Sequence, residues 1–96
     1  MRSTSYRDEW FELLADPLEA GAYLATCFEE SDEAFLLGLR DVVAAVGGIT
    51  KLANETGLAR EALYRTLSAK GNPRLSSLGR ILRALDLTLC FAPAGH

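Results

Sequence analysis

The residues from Lys51 to Arg65 constrain this chain more than any other part of it. Ala53 stands where two helices must nearly touch, and a larger side chain there would push them apart. Gly57, four residues on, falls at a turn that calls for a positive φ, which glycine adopts without steric cost. Leu58 and Leu63 are spaced to fill the wedge between the helices. The segment therefore reads as a helix-turn-helix, with a first helix over 49–56 and a second over 60–69. An element of this kind sets its second helix in the major groove of DNA.

The rest of the pattern is helical as well. Trp10, Leu13 and Leu14 keep a 3–4 spacing over residues 6–15 and predict a short first helix. Asp16-Pro17-Leu18-Glu19 is a helix start: Asp16 can cap, Pro17 suits the first turn, and Glu19 sits at the third position of a capping box. Ala20, Tyr23, Leu24, Cys27 and Phe28 then form one apolar stripe. Ser31-Asp32 interrupts it and can cap a helix over 33–46, whose buried face is Phe35, Leu36, Leu39, Val42, Val43 and Val46. Gly47-Gly48 ends that helix. Lys70-Gly71-Asn72-Pro73 is a stop signal. Leu75, Leu78, Ile81, Leu82 and Leu85 predict a last amphipathic helix, with Ser76 or Ser77 at its start. The expected fold class is all-α, with five or six helices. The expected organisation is an acidic helical arm over 1–31 and a helix-turn-helix domain over 32–96.

The end of the chain changes period. Leu85, Leu87, Leu89 and Phe91 alternate, which is the repeat of a strand. No other segment reads that way, and a lone strand leaves both edges unpaired. A short C-terminal β-strand is expected, paired through Leu87, Leu89 and Phe91 with a second copy across a two-fold axis, or with a strand of another protein. The alternative is an extended tail lying on its own domain.

A net charge of −3 argues against nucleic-acid binding until its distribution is considered. Residues 1–47 carry 3 basic and 10 acidic side chains, whereas residues 48–96 carry 7 basic and 3 acidic. An acidic half joined to a basic half suggests two faces with two jobs, unless the acids only solubilise exposed helices. No apolar run approaches the roughly 20 residues that span a bilayer. The N-terminus leads into acids and Trp10 instead of a secretory apolar core, so no membrane association and a cytoplasmic location are expected. Cys27 and Cys90 are the only cysteines and read as two buried free thiols. With His96 the one histidine and no Cys-x-x-Cys, neither a metal site nor a cofactor is expected. The chain also lacks a glycine-rich phosphate loop and a nucleophile with an evident base, so it does not read as an enzyme.

Candidate contacts follow from the helical spacing. Arg60, Glu61, Tyr64, Arg65 and Ser68 fall on the outward face of the second helix, while Leu63 and Leu67 face inward. Arg60 is the candidate base reader, through a bidentate contact to guanine. Arg65 reads a base or holds a phosphate. Tyr64 touches the DNA backbone or a thymine methyl, or else lies partly buried against the helix 49–56. Glu61 faces phosphates unless it accepts a proton from cytosine N4. Thr50 and Lys51, at a helix N-terminus, suit phosphate anchoring, as do Lys70 and Asn72 beyond the second helix. Arg80 and Arg83 read as surface residues. In the acidic arm, Trp10, Phe11, Leu13 and Leu14 form an apolar cluster that either anchors a partner or docks on the chain's own core.

A family resemblance rests on Tyr23-Leu24, Leu39-Arg40, Gly48, Leu52-Ala53, Thr56-Gly57-Leu58, Leu63-Tyr64-Arg65, Lys70-Gly71-Asn72-Pro73, Leu78 and Leu82 to Leu87. From Leu39 to Phe91 the chain resembles the Cro/C1-type helix-turn-helix domain. More closely, it is similar to the small antidote proteins, or antitoxins, of addiction modules. The resemblance implies an antitoxin that binds double-stranded operator DNA as a homodimer, represses its own operon and neutralises a small RelE-like toxin. The acidic arm suits a basic partner of that kind. The alternatives are a stand-alone repressor, and an interaction module whose helix-turn-helix no longer reads DNA. The chain departs from the pattern at Ala59, where Ser or Thr usually caps the recognition helix, and at Thr66, where an apolar residue is usual.

Overall fold

The computed structural model describes the backbone of residues 2–68 and 70–94, and side chains from residue 8 onward. Its helices are α1 (Arg2–Leu14), α2 (Pro17–Glu30), α3 (Asp32–Ala45), α4 (Ile49–Thr56), α5 (Arg60–Thr66) and α6 (Leu75–Ala84). The boundaries follow local chemistry. Asp16 is extended, and its carboxylate accepts a hydrogen bond from the Leu18 amide at 3.2 Å, with Pro17 in the first turn. Ser31 serves two helices: its amide donates to the Cys27 carbonyl at 3.2 Å, and its hydroxyl accepts from the Ala34 amide at 2.9 Å. Gly47 and Gly48, with φ of +126° and +91°, break the chain between α3 and α4.

Two ends differ from the sequence expectation. Helix α5 stops at Thr66, and Leu67 and Ser68 have already left it; Ala69, the last residue of the expected second helix, lies outside the described residues. The Ser68 hydroxyl donates to the Arg65 carbonyl at 3.1 Å. The last helix is opened by Arg74, not by Ser76 or Ser77, and its N-terminus has no side-chain cap.

One core runs through the described residues. It joins Leu14 of α1, Ala20 and Leu24 of α2, Leu39, Val42 and Val43 of α3, Leu52 of α4, Leu63 and Leu67 around α5, and Ile81, Leu82 and Leu85 around α6. Helix α3 meets α1, α2 and α4, and α4 in turn meets α5 and α6. The pairs Phe28–Phe35, Cys27–Gly38 and Tyr23–Asp41 show that α2 and α3 run antiparallel. Gly38 permits their close approach: a Cβ there would lie 2.8 Å from the Cys27 sulfur and 3.3 Å from the Tyr23 ring. Tyr23 ties the pair together by donating to Asp41 Oδ2 at 2.9 Å. Its ring meets Trp10 edge-on, with centroids 5.3 Å apart.

This arrangement corrects part of the proposed partner cluster. Leu14 is a core residue with 1% of its surface exposed, and Trp10 and Phe11 are half-buried. The stripe turns inward because α1 lies against both α2 and α3. Leu13 alone among the four is exposed.

The C-terminal strand is also corrected. Residues 87–93 form no strand in this single chain. Asp86 adopts a left-handed φ of 63°, its amide donates to the Arg83 carbonyl at 3.0 Å, and the Leu87 amide donates to the Leu82 carbonyl at 2.8 Å. That is a Schellman closure of α6, in which an apolar residue just past the helix folds back on it. The alternation of Leu85 and Leu87 belongs to this closure, not to a strand. Leu87 is half-buried and seats 3.7 Å from where a Cβ of Gly21 would lie, so it is unavailable to a strand shared with a second copy. Leu89 and Phe91 remain exposed. Cys90 lies on the same tail and is exposed, whereas Cys27 is half-buried, so the expectation of two buried thiols holds for neither in full.

Two predictions follow. Leu63 is fully buried, so Leu63→Ala should lower stability by about 2–5 kcal/mol, read by urea or thermal unfolding. Unchanged stability would mean that α5 is not fixed to the core. Burial first, then the hydrogen bond to Asp41 and its charge, raise the Tyr23 hydroxyl well above its ordinary value of 10.0. The folded chain thus prefers the neutral hydroxyl. Its contribution is fully present below about pH 10 and is lost as pH rises toward the folded-state value. Wild-type stability should fall above about pH 10 and Tyr23→Phe should flatten that fall; an identical alkaline slope in both proteins would contradict the assignment.

Candidate nucleic-acid interface

Helices α4 and α5 build the candidate surface. Their junction begins at Thr56, whose hydroxyl donates to the Leu52 carbonyl at 2.8 Å and accepts from the Leu58 amide at 3.2 Å. Gly57 follows with φ 76° and ψ 8°, and its amide donates to the Ala53 carbonyl at 2.9 Å. The left-handed turn expected at this glycine is therefore present. Leu52 and Leu63 are buried, and Ala53 and Leu58 are half-buried in the wedge between the helices. Ala59 opens α5 with no side-chain cap, as its methyl group requires.

Helix α5 sorts its side chains as the spacing predicts. Leu63 is buried, as is Leu67 just beyond the helix, while Arg60, Glu61, Tyr64 and Arg65 are exposed. Tyr64 is 56% exposed, so it is not packed away against α4. Ser68 is half-buried with its hydroxyl committed to the Arg65 carbonyl, which draws it from the outward row. Thr50 is exposed in the first turn of α4. Lys51 is held in place: its ammonium donates to the Val46 carbonyl at 3.2 Å and lies 3.8 Å from the Glu55 carboxylate. Its stem crosses Gly47, where a Cβ would come 2.6 Å from Lys51 Cδ. The Lys51 stem can move aside, so it is the φ of +126° that favours glycine here.

Two groups of residues escape the helical-spacing argument. Arg65, Lys70 and Arg74, with Asn72 and Ser77, line an open groove of about 580 Å³ that no carboxylate enters. Arg74 was not among the sequence candidates, which beyond the second helix were only Lys70 and Asn72. The signal for it is charge: residues 62–85 hold five basic side chains and no acidic one. On the other side of Tyr64, Arg40 of α3 borders a cleft of about 290 Å³ shared with Val43, Ile49 and Leu67. Nothing in a helix-turn-helix pattern points to that residue, since it comes from the preceding helix.

The opposite part of the molecule carries the reverse charge. Residues 8–39 hold nine acidic side chains and no basic one. They belong to α1, α2 and the first half of α3, whereas the basic run belongs to α5, α6 and the loop between them. No helix of the described residues is long and apolar enough to cross a membrane.

The model of a family described as "Probable addiction module antidote protein" matches residues 9–93. A protein of Haemophilus influenzae (strain ATCC 51907 / DSM 11121 / KW20 / Rd), described as "Uncharacterized protein", is 29% identical over 76 residues, covering 79% of this chain and 78% of that protein. No solved structure matches. With the family match spanning both the acidic helices and the exposed face of α5, the chain belongs to the family of probable addiction module antidote proteins.

Proposed function

We propose that this chain is a cytoplasmic antitoxin that represses its own operon and neutralises a small basic RelE-like toxin. In this reading the basic segment 32–96 binds operator DNA and the acidic segment 1–31 serves the toxin. The observation that carries the DNA part is the face of α5, where Arg60, Tyr64 and Arg65 are exposed over the buried Leu63 and Leu67. A helix fixed to the core on one side and presenting two guanidinium groups on the other suits entry into a major groove. Arg60 supplies base reading, and Arg65, Lys70, Asn72 and Arg74 follow the phosphates on one flank. Thr50 and Lys51 hold them on the other.

Two copies on a two-fold operator would set half-sites about 34–36 Å apart. The antitoxin part is supported by the family and by the charge of residues 8–39, which repels DNA and attracts a basic protein. A second reading, an interaction module that does not read DNA, is favoured only by Glu61, exposed in the first turn of α5 where it meets phosphate unless it pairs with cytosine.

The deciding experiment is binding of the purified chain to DNA from its own upstream region, titrated against salt beside a scrambled duplex. A clear preference for its own DNA is expected; equal binding to both would favour the interaction module. In the same assay Arg60→Ala should lose about 1–3 kcal/mol of discrimination. Retention of wild-type preference would remove Arg60 from the base-reading role. Lys51→Ala should weaken binding to every sequence and lower the salt slope by about one. A slope equal to that of wild type would show that Lys51 touches no phosphate.

A further inference from the structure

We propose that the outer face of α2, together with the tail beyond Leu87, is the surface on which a basic protein with a free sheet edge docks; this rests on the antitoxin reading above. Leu18, Gly21, Ala25 and Phe28 recur at 3–4 spacing along one side of α2. Leu18 is 79% and Phe28 60% exposed. The tail starts from this same face, because Leu87 seats on Gly21. Beyond it, Leu89 is 49% and Phe91 91% exposed, and no backbone amide from Thr88 to Ala92 donates to a backbone group among the described residues. A segment outside any helix, with exposed apolar side chains two residues apart, can add to the edge of another sheet by becoming extended there.

Charge selects the occupant. The face belongs to the stretch 8–39, which has nine acids and no base. Glu29 and Glu30 follow directly on Phe28 at the end of α2, and Asp16 and Glu19 bracket Leu18 at its start. A second copy docking here through the same face about a two-fold axis would bring its own acids against these, which like-charge repulsion disfavours. A basic partner gains from both the apolar stripe and its rim. Trp10 and Leu14 are committed to the interior, so Phe28 and Phe91 replace them as the aromatic anchors.

The test uses the toxin encoded beside this chain, purified separately and titrated calorimetrically into the full-length protein. Leu18→Asp and Phe91→Asp are the variants; both side chains are exposed, and unchanged circular dichroism and thermal unfolding confirm that each folds. Wild-type affinity should fall as salt rises, and each variant should lose about tenfold or more. Variants that bind like wild type would overturn the docking surface and leave the antitoxin reading standing. A wild-type chain that does not bind the toxin at all would overturn both. If Phe91→Asp instead splits a wild-type dimer in sedimentation and toxin affinity is kept, a second copy covers the tail and the proposal fails.

Discussion

The close approach of α2 and α3 at Gly38 is the contact on which the rest of the molecule depends. Without a side chain there, the α3 backbone comes near enough for Tyr23 to reach Asp41 and for Phe28 to meet Phe35 edge-on. The pairing fixes the rotation of α3 about its own axis. Leu39, Val42 and Val43 are then directed into the common core, and Val43 reaches the cleft beside α4 and α5. Helix α5 has only seven residues and no side-chain cap, and a helix that short is not stable alone. Its position is inherited from α3 through α4, by way of Leu52, Leu63 and Leu67.

Because α3 is central, it also separates the two charge domains. Acidic α1 and α2 lie against α3, and basic α5 and α6 lie against α4. Among the described residues the two groups of helices meet directly only where Leu87, just past the end of α6, seats on Gly21 of α2. A net charge of −3 therefore says little about either face. Each face is read by a partner through its local field.

Much of this was legible in the chain. Caps and breakers announce themselves within a few residues, so Asp16-Pro17, Ser31 and Gly57 each gave a boundary that the structure keeps. The inward and outward sides of α5 followed from helical spacing. What could not be read locally was the fate of apolar residues with more than one possible neighbour. Trp10 and Leu14 look like a partner-binding stripe until α1 is seen to lie on both α2 and α3. Leu85 and Leu87 look like a strand until Asp86 enters the left-handed region and turns Leu87 back on α6. A period of two is ambiguous over so few residues, because a Schellman closure also places apolar groups two apart. Arg74 was missed for a related reason: its place in the groove depends on how the loop after α5 folds, which no periodicity describes.

The separation of the faces bears on how an antidote protein could serve two partners at once. Screening confines electrostatic influence to about 8 Å at physiological ionic strength, less than the spacing of two packed helices. In the proposed function, DNA held at α5 would feel the acids of α1 and α2 only weakly at that ionic strength, their repulsion acting on DNA that approaches the acidic face itself. Any change in operator affinity on toxin binding must then come from geometry, by altering how two copies are held relative to the operator, since linkage requires a difference between states and not mere proximity. At low salt the argument reverses: the screening length grows to about 30 Å at 0.01 M, comparable with the 23–43 Å extents of the molecule. Under those conditions the two faces interact through space, and in the proposed function covering the acidic one would strengthen DNA binding without any movement of the fold.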